Sequence, residues 1–266
     1  MLQRSASSLF VAMLVTACTA TTPSKDPGAD AQAIGSVHDI DVGTLAQGAP
    51  VTLVGLVITG VAISAGVEKT GSMKCRYRAF AQDPVGPAPS GIMLHAFGMF
   101  CQGGNCTCPD IPNSGTPLDA VVTLGDVYSV NGTASVVTPT DDAGASLITE
   151  HAVVVKGITK TGANGIIKPQ VFQDPFQAAK GSPSYKDFES MVVTIQPPAP
   201  FGVGTPTAFG TFSGSGAFFS GIYGPNFEMG GKYPAPNQKF VSITGIATPL
   251  LNGEVAPRQA SDFVSP

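Results

Sequence analysis

Four cysteines offer the most chemistry: Cys75, Cys101, Cys106 and Cys108. Three crowd into Cys101-Gln-Gly-Gly-Asn-Cys106-Thr-Cys108, a glycine-rich stretch. Four thiolates could hold zinc, but this spacing lacks the paired C-x2-C knuckles of structural zinc sites. An even set of cysteines in a chain that carries the marks of export reads instead as disulfides. Cys106 and Cys108 bridge poorly with only one residue between them, so they are expected to take different partners. Cys75 is then bonded to one cysteine of the loop and the other two to each other, with the choice left open. His38, His95 and His151 are widely spread, and neither H-x-x-x-H nor H-E-x-x-H occurs. No metal site and no cofactor is therefore expected. His95, beside Leu94 and Phe97, is expected to line a barrel interior. Ser213 lies in Gly210–Gly216 (GTFSGSG), which does not satisfy G-x-S-x-G, so no hydrolase elbow is expected. Asp83, Asp110, Asp119, Asp126, Asp141 and Asp142 fall on predicted turns, where capping explains such residues. The spacing near Asp141 does not define a calcium loop. No catalytic residue is assigned, and the chain reads as a non-enzyme.

Lys74, Arg76, Tyr77 and Arg78, with Phe80 close behind, form a basic–aromatic run. Alternation along a strand would put Arg76 and Arg78 on one face and Tyr77 on the other. These four residues are the candidate anion-binding set, although a solvated strand face is the commoner role for such a run. Net charge is −4. Without Arg4 of the export signal, the 14 basic residues become 13 against 18 acidic ones, a net charge of −5. An acidic chain gains little from neutralising phosphates, so nucleic acid is not an expected partner.

The elements that must position these residues are strands. Charged residues make up 12% of the chain, with 32 Gly and 23 Pro, which suits short strands and many turns rather than long amphipathic helices. From residue 36 onward the pattern reads strand, turn, strand. Val51–Ser64, Tyr77–Gln82, Gly91–Phe97, Val121–Val137 and Leu147–Ile158 are the expected strands of a first unit. Gly55 and Gly60 interrupt the first of them and mark bulges or bends. The second half repeats this grammar. Ser190–Ile195 answers the opening strand, Ser220-Gly221-Ile222 with Phe227 matches Ser90-Gly91-Ile92 with Phe97, and Phe240–Ala247 matches Val127–Ala134. Three matches in one order imply a duplicated domain.

The amino terminus reads as an export signal. Arg4 supplies the positive charge, and Leu9–Val15 is an apolar run too short to span a bilayer. It ends in Val15-Thr16-Ala17-Cys18, which resembles the bacterial lipobox. The resemblance implies that 1–17 is a cleaved signal peptide and that Cys18 carries a diacylglyceryl group, with further acylation of the new amine. Two or three acyl chains would hold the protein on a membrane. Thr19, which is not Asp, implies the outer membrane. Residues 18–35 are small and polar and read as a lipidated flexible tether.

Five strands with a glycine bend suit a small Greek-key barrel of OB type. Val51–Thr59, Phe80-Ala81-Gln82-Asp83-Pro84, Ser90-Gly91-Ile92 and Gly125-Asp126-Val127 with Val130 and Gly132 resemble the tandem OB-like domains that precede extracellular nucleases in some bacterial secreted proteins. The expected fold is therefore all-β: two tandem OB-like barrels at 36–160 and 185–266, joined by a connector at 161–184. A β-sandwich is the alternative. The implied role is a non-catalytic cell-envelope lipoprotein that binds protein or glycan partners, the alternative being a nucleic-acid-binding accessory to a separate nuclease.

Overall fold

The computed structural model describes residues 35–62, 78–95, 100–102, 105–107, 122–137, 150–178, 185–205, 212–214, 217–219, 234–248 and 255–266. Within them the chain is mostly β, in two sheet-based units with one short α-helix.

The helix, α1 (Val37–Asp41), stands where the sequence suggested a strand or turn. Ser36 and Asp39 form a reciprocal capping box. The Ser36 hydroxyl accepts from the Asp39 N–H at 3.1 Å, and Asp39 accepts from the Ser36 N–H at 3.0 Å. Val37 and Ile40, three apart on one face, bury into the first core. Local capping and two apolar anchors suffice for one turn and a half.

The first unit contains β1 (Pro50–Ala62), β2 (Arg78–Gln82), β3 (Gly91–His95), the hairpin β4 (Phe100–Gln102) and β5 (Asn105–Thr107), β6 (Val127–Val137) and β7 (Glu150–Gly162). All five strands expected from the hydrophobic pattern are present. Their pairing order β1-β2-β3-β7-β6 closes on itself, because β1 pairs with β6 through its first half and with β2 through its second. Contacts are antiparallel except between β3 and β7, which run parallel with Met93 opposite Ala152. Closing the sheet through the two halves of one strand calls for a bend, and β1 has its glycines at its register shifts. Register shifts between Leu53 and Leu56 and again between Ile58 and Gly60. Gly55 lies in the first shift at φ +79°, a conformation that side chains disfavour.

The second unit comprises β8 (Gln170–Phe172), β9 (Val192–Ile195), β10 (Phe201–Gly202), β11 (Phe212–Gly214), β12 (Ala217–Phe219), β13 (Lys239–Phe240), β14 (Ser242–Ala247), β15 (Val255–Ala256) and β16 (Phe263–Val264). Its main sheet runs β11-β12-β15-β14-β9-β8, with β16 also on β14, while β10 and β13 pair separately. The segment read as a connector contributes the end of β7 and all of β8, which lies parallel to β9.

Two apolar cores result. The first gathers Leu53, Leu56, Ile58, Ala79, Ala81, Ile92, Leu94, Tyr128, Val130, Val153 and Val155. The second gathers Val193, Ile195, Phe201, Phe212, Phe240, Ile243 and Val255, with Phe263 tilted against Phe240 at 5.2 Å between ring centroids.

Candidate functional site

Strand alternation decides what the two units show each other. Ala79 and Ala81 of β2, Ile92 and Leu94 of β3, and Val153 and Val155 of β7 point into the first core. Residues that alternate with them, Phe80, Met93 and Ala152, point out. Yet they are buried too, because they form a third cluster with Ile246 of β14. On β14, Ile243 and Ala247 face the second core, so Ile246 and Thr248 project from the opposite face. Ile246 fits where Gly60 has no side chain: a Cβ at position 60 would lie 2.3 Å from the Ile246 Cδ1. Gly91 has the same function against backbone, since a Cβ there would lie 2.3 Å from the Ser190 carbonyl carbon.

Polar groups ring this apolar contact. Gln82 is buried at the end of β2. Its Oε1 accepts from the Val192 N–H at 3.0 Å, and its Nε2 donates to the Ser90 Oγ at 3.2 Å. Glu150 is fully buried at the start of β7. One of its oxygens accepts from the Ser190 hydroxyl at 2.6 Å and the other from the Thr248 hydroxyl at 3.2 Å. Glu189 reaches back the other way. It accepts from the His151 backbone N–H, and its second oxygen lies 3.4 Å from the His151 Nδ1. Ser190, between these contacts, holds φ +59°, and its N–H donates to the Ala247 carbonyl at 2.7 Å. A non-glycine residue in that region costs energy, and here it is held by bonds from both sides.

Asp41, the last residue of α1, completes the group. Neither of its carboxyl oxygens has a hydrogen-bond partner among the described residues. Burial, with the Glu189 and Glu150 charges nearby, pushes this carboxyl from 3.8 up to about 9. Asp41 therefore carries its proton at neutral pH. The Asp41 carboxyl thus lies within electrostatic reach of Glu189 and Glu150, which belong to two other chain segments. Such a group can hold a proton and fix the docking geometry. Among the described residues no three His, Cys, Asp or Glu side chains converge in a metal-holding arrangement.

The sites expected from sequence fall elsewhere. Cys18, Cys75, Cys108, Lys74, Arg76 and Tyr77 lie outside the described residues, as do Asp110, Asp119, Asp141 and Asp142. Arg78 opens β2 and pairs in register with His95. Cys101 and Cys106 stand opposite each other in the β4–β5 backbone register. His95 shares the Met93 face of β3 by alternation, which places it away from the first core rather than lining it. Asp83 is the turn cap expected of it, accepting from the Val85 and Gly86 N–H groups at 2.9 and 3.0 Å. Asp174 repeats this motif at the second Gln-Asp-Pro, accepting from the Phe176 N–H at 3.0 Å. Asp126 follows its turn and pairs with Lys160, whose ammonium is raised by that bond. Ser213 sits in β11, paired with Phe218.

Sequence reasoning missed Asp41, Glu150, Glu189 and Gln82 as a group. Their partners lie far off in sequence, 110 residues from Gln82 to Val192 and 98 from Glu150 to Thr248, and leave no local signal. No family model, no curated protein and no solved structure matches the chain.

Proposed function

We propose that the chain is a lipid-anchored protein of the bacterial cell envelope, placed at the outer membrane, whose β units form a non-catalytic binding module for a protein or glycan partner. One observation carries the module half of this reading: the strand order β1-β2-β3-β7-β6, with β3 and β7 parallel and the rest antiparallel. That order and polarity suit a five-stranded OB-type barrel, a fold used for binding. The second unit, with its shared Gln-Asp-Pro turn, is read as a divergent copy of the first. The anchor half rests on Val15-Thr16-Ala17-Cys18.

The same geometry weighs against the nucleic-acid alternative. OB barrels bind strands on the outer face of their second and third strands. Here that face holds Phe80 and Met93 under Ile246 of the second unit.

The test is fractionation of the full chain in a bacterial host with two membranes, fed labelled palmitate. The wild type is expected to take up label and sediment with outer membranes. Cys18→Ser is expected to lose both properties. Retention of the variant in the membrane would end the anchor reading. Binding of a fluorescent single-stranded oligonucleotide, weakening steeply with salt, would favour the alternative.

A further inference from the structure

The geometry points to a proton-linked latch at the junction of the two units: Asp41 docks α1 there only while its carboxyl is neutral, facing the carboxylates of Glu150 and Glu189. The inference is independent of the proposed function.

Three features carry it. First, the junction is built from carboxylates that already have their donors. Glu150 is held by the Ser190 and Thr248 hydroxyls, and Glu189 by the His151 N–H and ring. Second, Asp41 brings a third carboxyl whose oxygens find no donor among the described residues. An ionised carboxylate buried without donors or a cation is costly, so this one stays protonated. Third, α1 packs on β3 and β7, the strands that carry the junction. Those elements carry His95 on β3 and Glu150, His151, Lys156 and Lys160 on β7, and of these Glu150 acts on Asp41. Glu189 acts on it from the second unit, and His38 and Asp39 lie on its own helix. The nearby charges that act on it are negative, Glu189 more strongly than Glu150. Ionising Asp41 would set three negative charges together in a buried space, and moving α1 away is the simplest relief.

The direction of the effect follows. Below about pH 4 the folded and unfolded chains both hold the proton, so Asp41 has no effect on stability. Between that range and about pH 9 the unfolded chain releases it and the folded chain keeps it. Each pH unit then favours unfolding by up to about tenfold. Above about pH 9 the loss levels off and α1 is released. Because α1 directly follows residues 18–35, the state of this one proton sets how firmly that segment is attached to the folded body.

The experiment compares unfolding of the full chain and its Asp41→Asn variant by urea from pH 5 to pH 10. Asn keeps the shape of the neutral acid and cannot ionise. The ratio of the two unfolding constants is expected to grow up to about tenfold per pH unit and to level near pH 9. Glu189→Gln removes the stronger negative neighbour, so the midpoint of the profile should move to lower pH. The Asp41 carboxyl carbon, followed by NMR in the wild type, gives the same midpoint without any variant. A ratio independent of pH, a carbon titrating near pH 4, or a midpoint unmoved by Glu189→Gln would each overturn the latch.

Discussion

Ile246 is the side chain that most directly joins the two units, and replacing it tests whether they fold as one body. Ile246→Ala deletes three carbons from a fully buried site between Phe80, Met93 and Ala152. At about 0.8 kcal/mol per methylene the transfer loss is roughly 2.4 kcal/mol. The cavity left behind raises the expected cost to about 3–4 kcal/mol. Gly60→Ala does the opposite, because its new methyl would sit 2.3 Å from the Ile246 Cδ1. Alone it is expected to cost about 1–2 kcal/mol through overpacking. In the Ile246→Ala background the same methyl enters vacated space and should be neutral or stabilising. The double-mutant cycle is therefore expected to show about 1–2 kcal/mol or more of favourable coupling between residues 186 positions apart in sequence. The assay is urea unfolding followed by far-UV circular dichroism, since the chain has no Trp to report by fluorescence. Costs that add to within about 0.5 kcal/mol would refute the reasoning, because they would mean that Gly60 and Ile246 do not share a site.

Gly91→Ala should destabilise by about 1–3 kcal/mol or more, since its Cβ meets the Ser190–Met191 backbone, which cannot turn aside. Gly202→Ala, whose nearest neighbour would be 3.8 Å away, is the control and should change the urea midpoint little. Arg258→Ala is expected to cost about 2–3 kcal/mol at neutral pH. It strips a buried Asp262 of a guanidinium that donates at 2.8 and 3.1 Å and leaves only backbone donors from Arg258 and Gln259. Thermal unfolding of the variant against wild type measures it, and a shift below about 1 °C would contradict it.

The first unit was readable from sequence because its information is local. A β-branched run with Gly55 and Gly60 inside it forecasts one long bent strand, and β1 has its register shifts at those places. The Gly125-Asp126 turn likewise forecasts the start of β6. The short helix was hidden because its signal is only the Ser36–Asp39 capping box with two apolar residues. β8 was hidden by the prolines around it, although Gln173-Asp174-Pro175 repeats Gln82-Asp83-Pro84 and the same turn follows. The junction was hidden for a different reason. Phe80 and Met93 looked like ordinary members of buried strands, and periodicity shows that a strand is buried on two sides without showing what covers the second. Glu150 sits at the edge of an apolar run, where a charged residue ordinarily signals the end of burial.

Why the junction mixes one apolar knob with so many hydrogen bonds follows from the periodicity of β14. Ile246 alone could slide along the groove between Phe80 and Met93 with modest loss, since apolar packing has little directionality. Thr248, two residues on and on the same face, cannot slide, because its hydroxyl must reach Glu150 at 3.2 Å. Ser190 must meet the other oxygen of the same carboxylate, and the Val192 N–H must meet Gln82. A slip of one residue along β14 would turn Ile246 and Thr248 toward the second core and bring Ala247 to the junction. It would also take the Thr248 hydroxyl from the buried Glu150 and leave it the Ser190 hydroxyl alone, at a cost of about 1–3 kcal/mol. The polar ring therefore selects one docking register among several of similar apolar area. That selection explains why a fully buried glutamate can persist where a leucine of similar volume would pack.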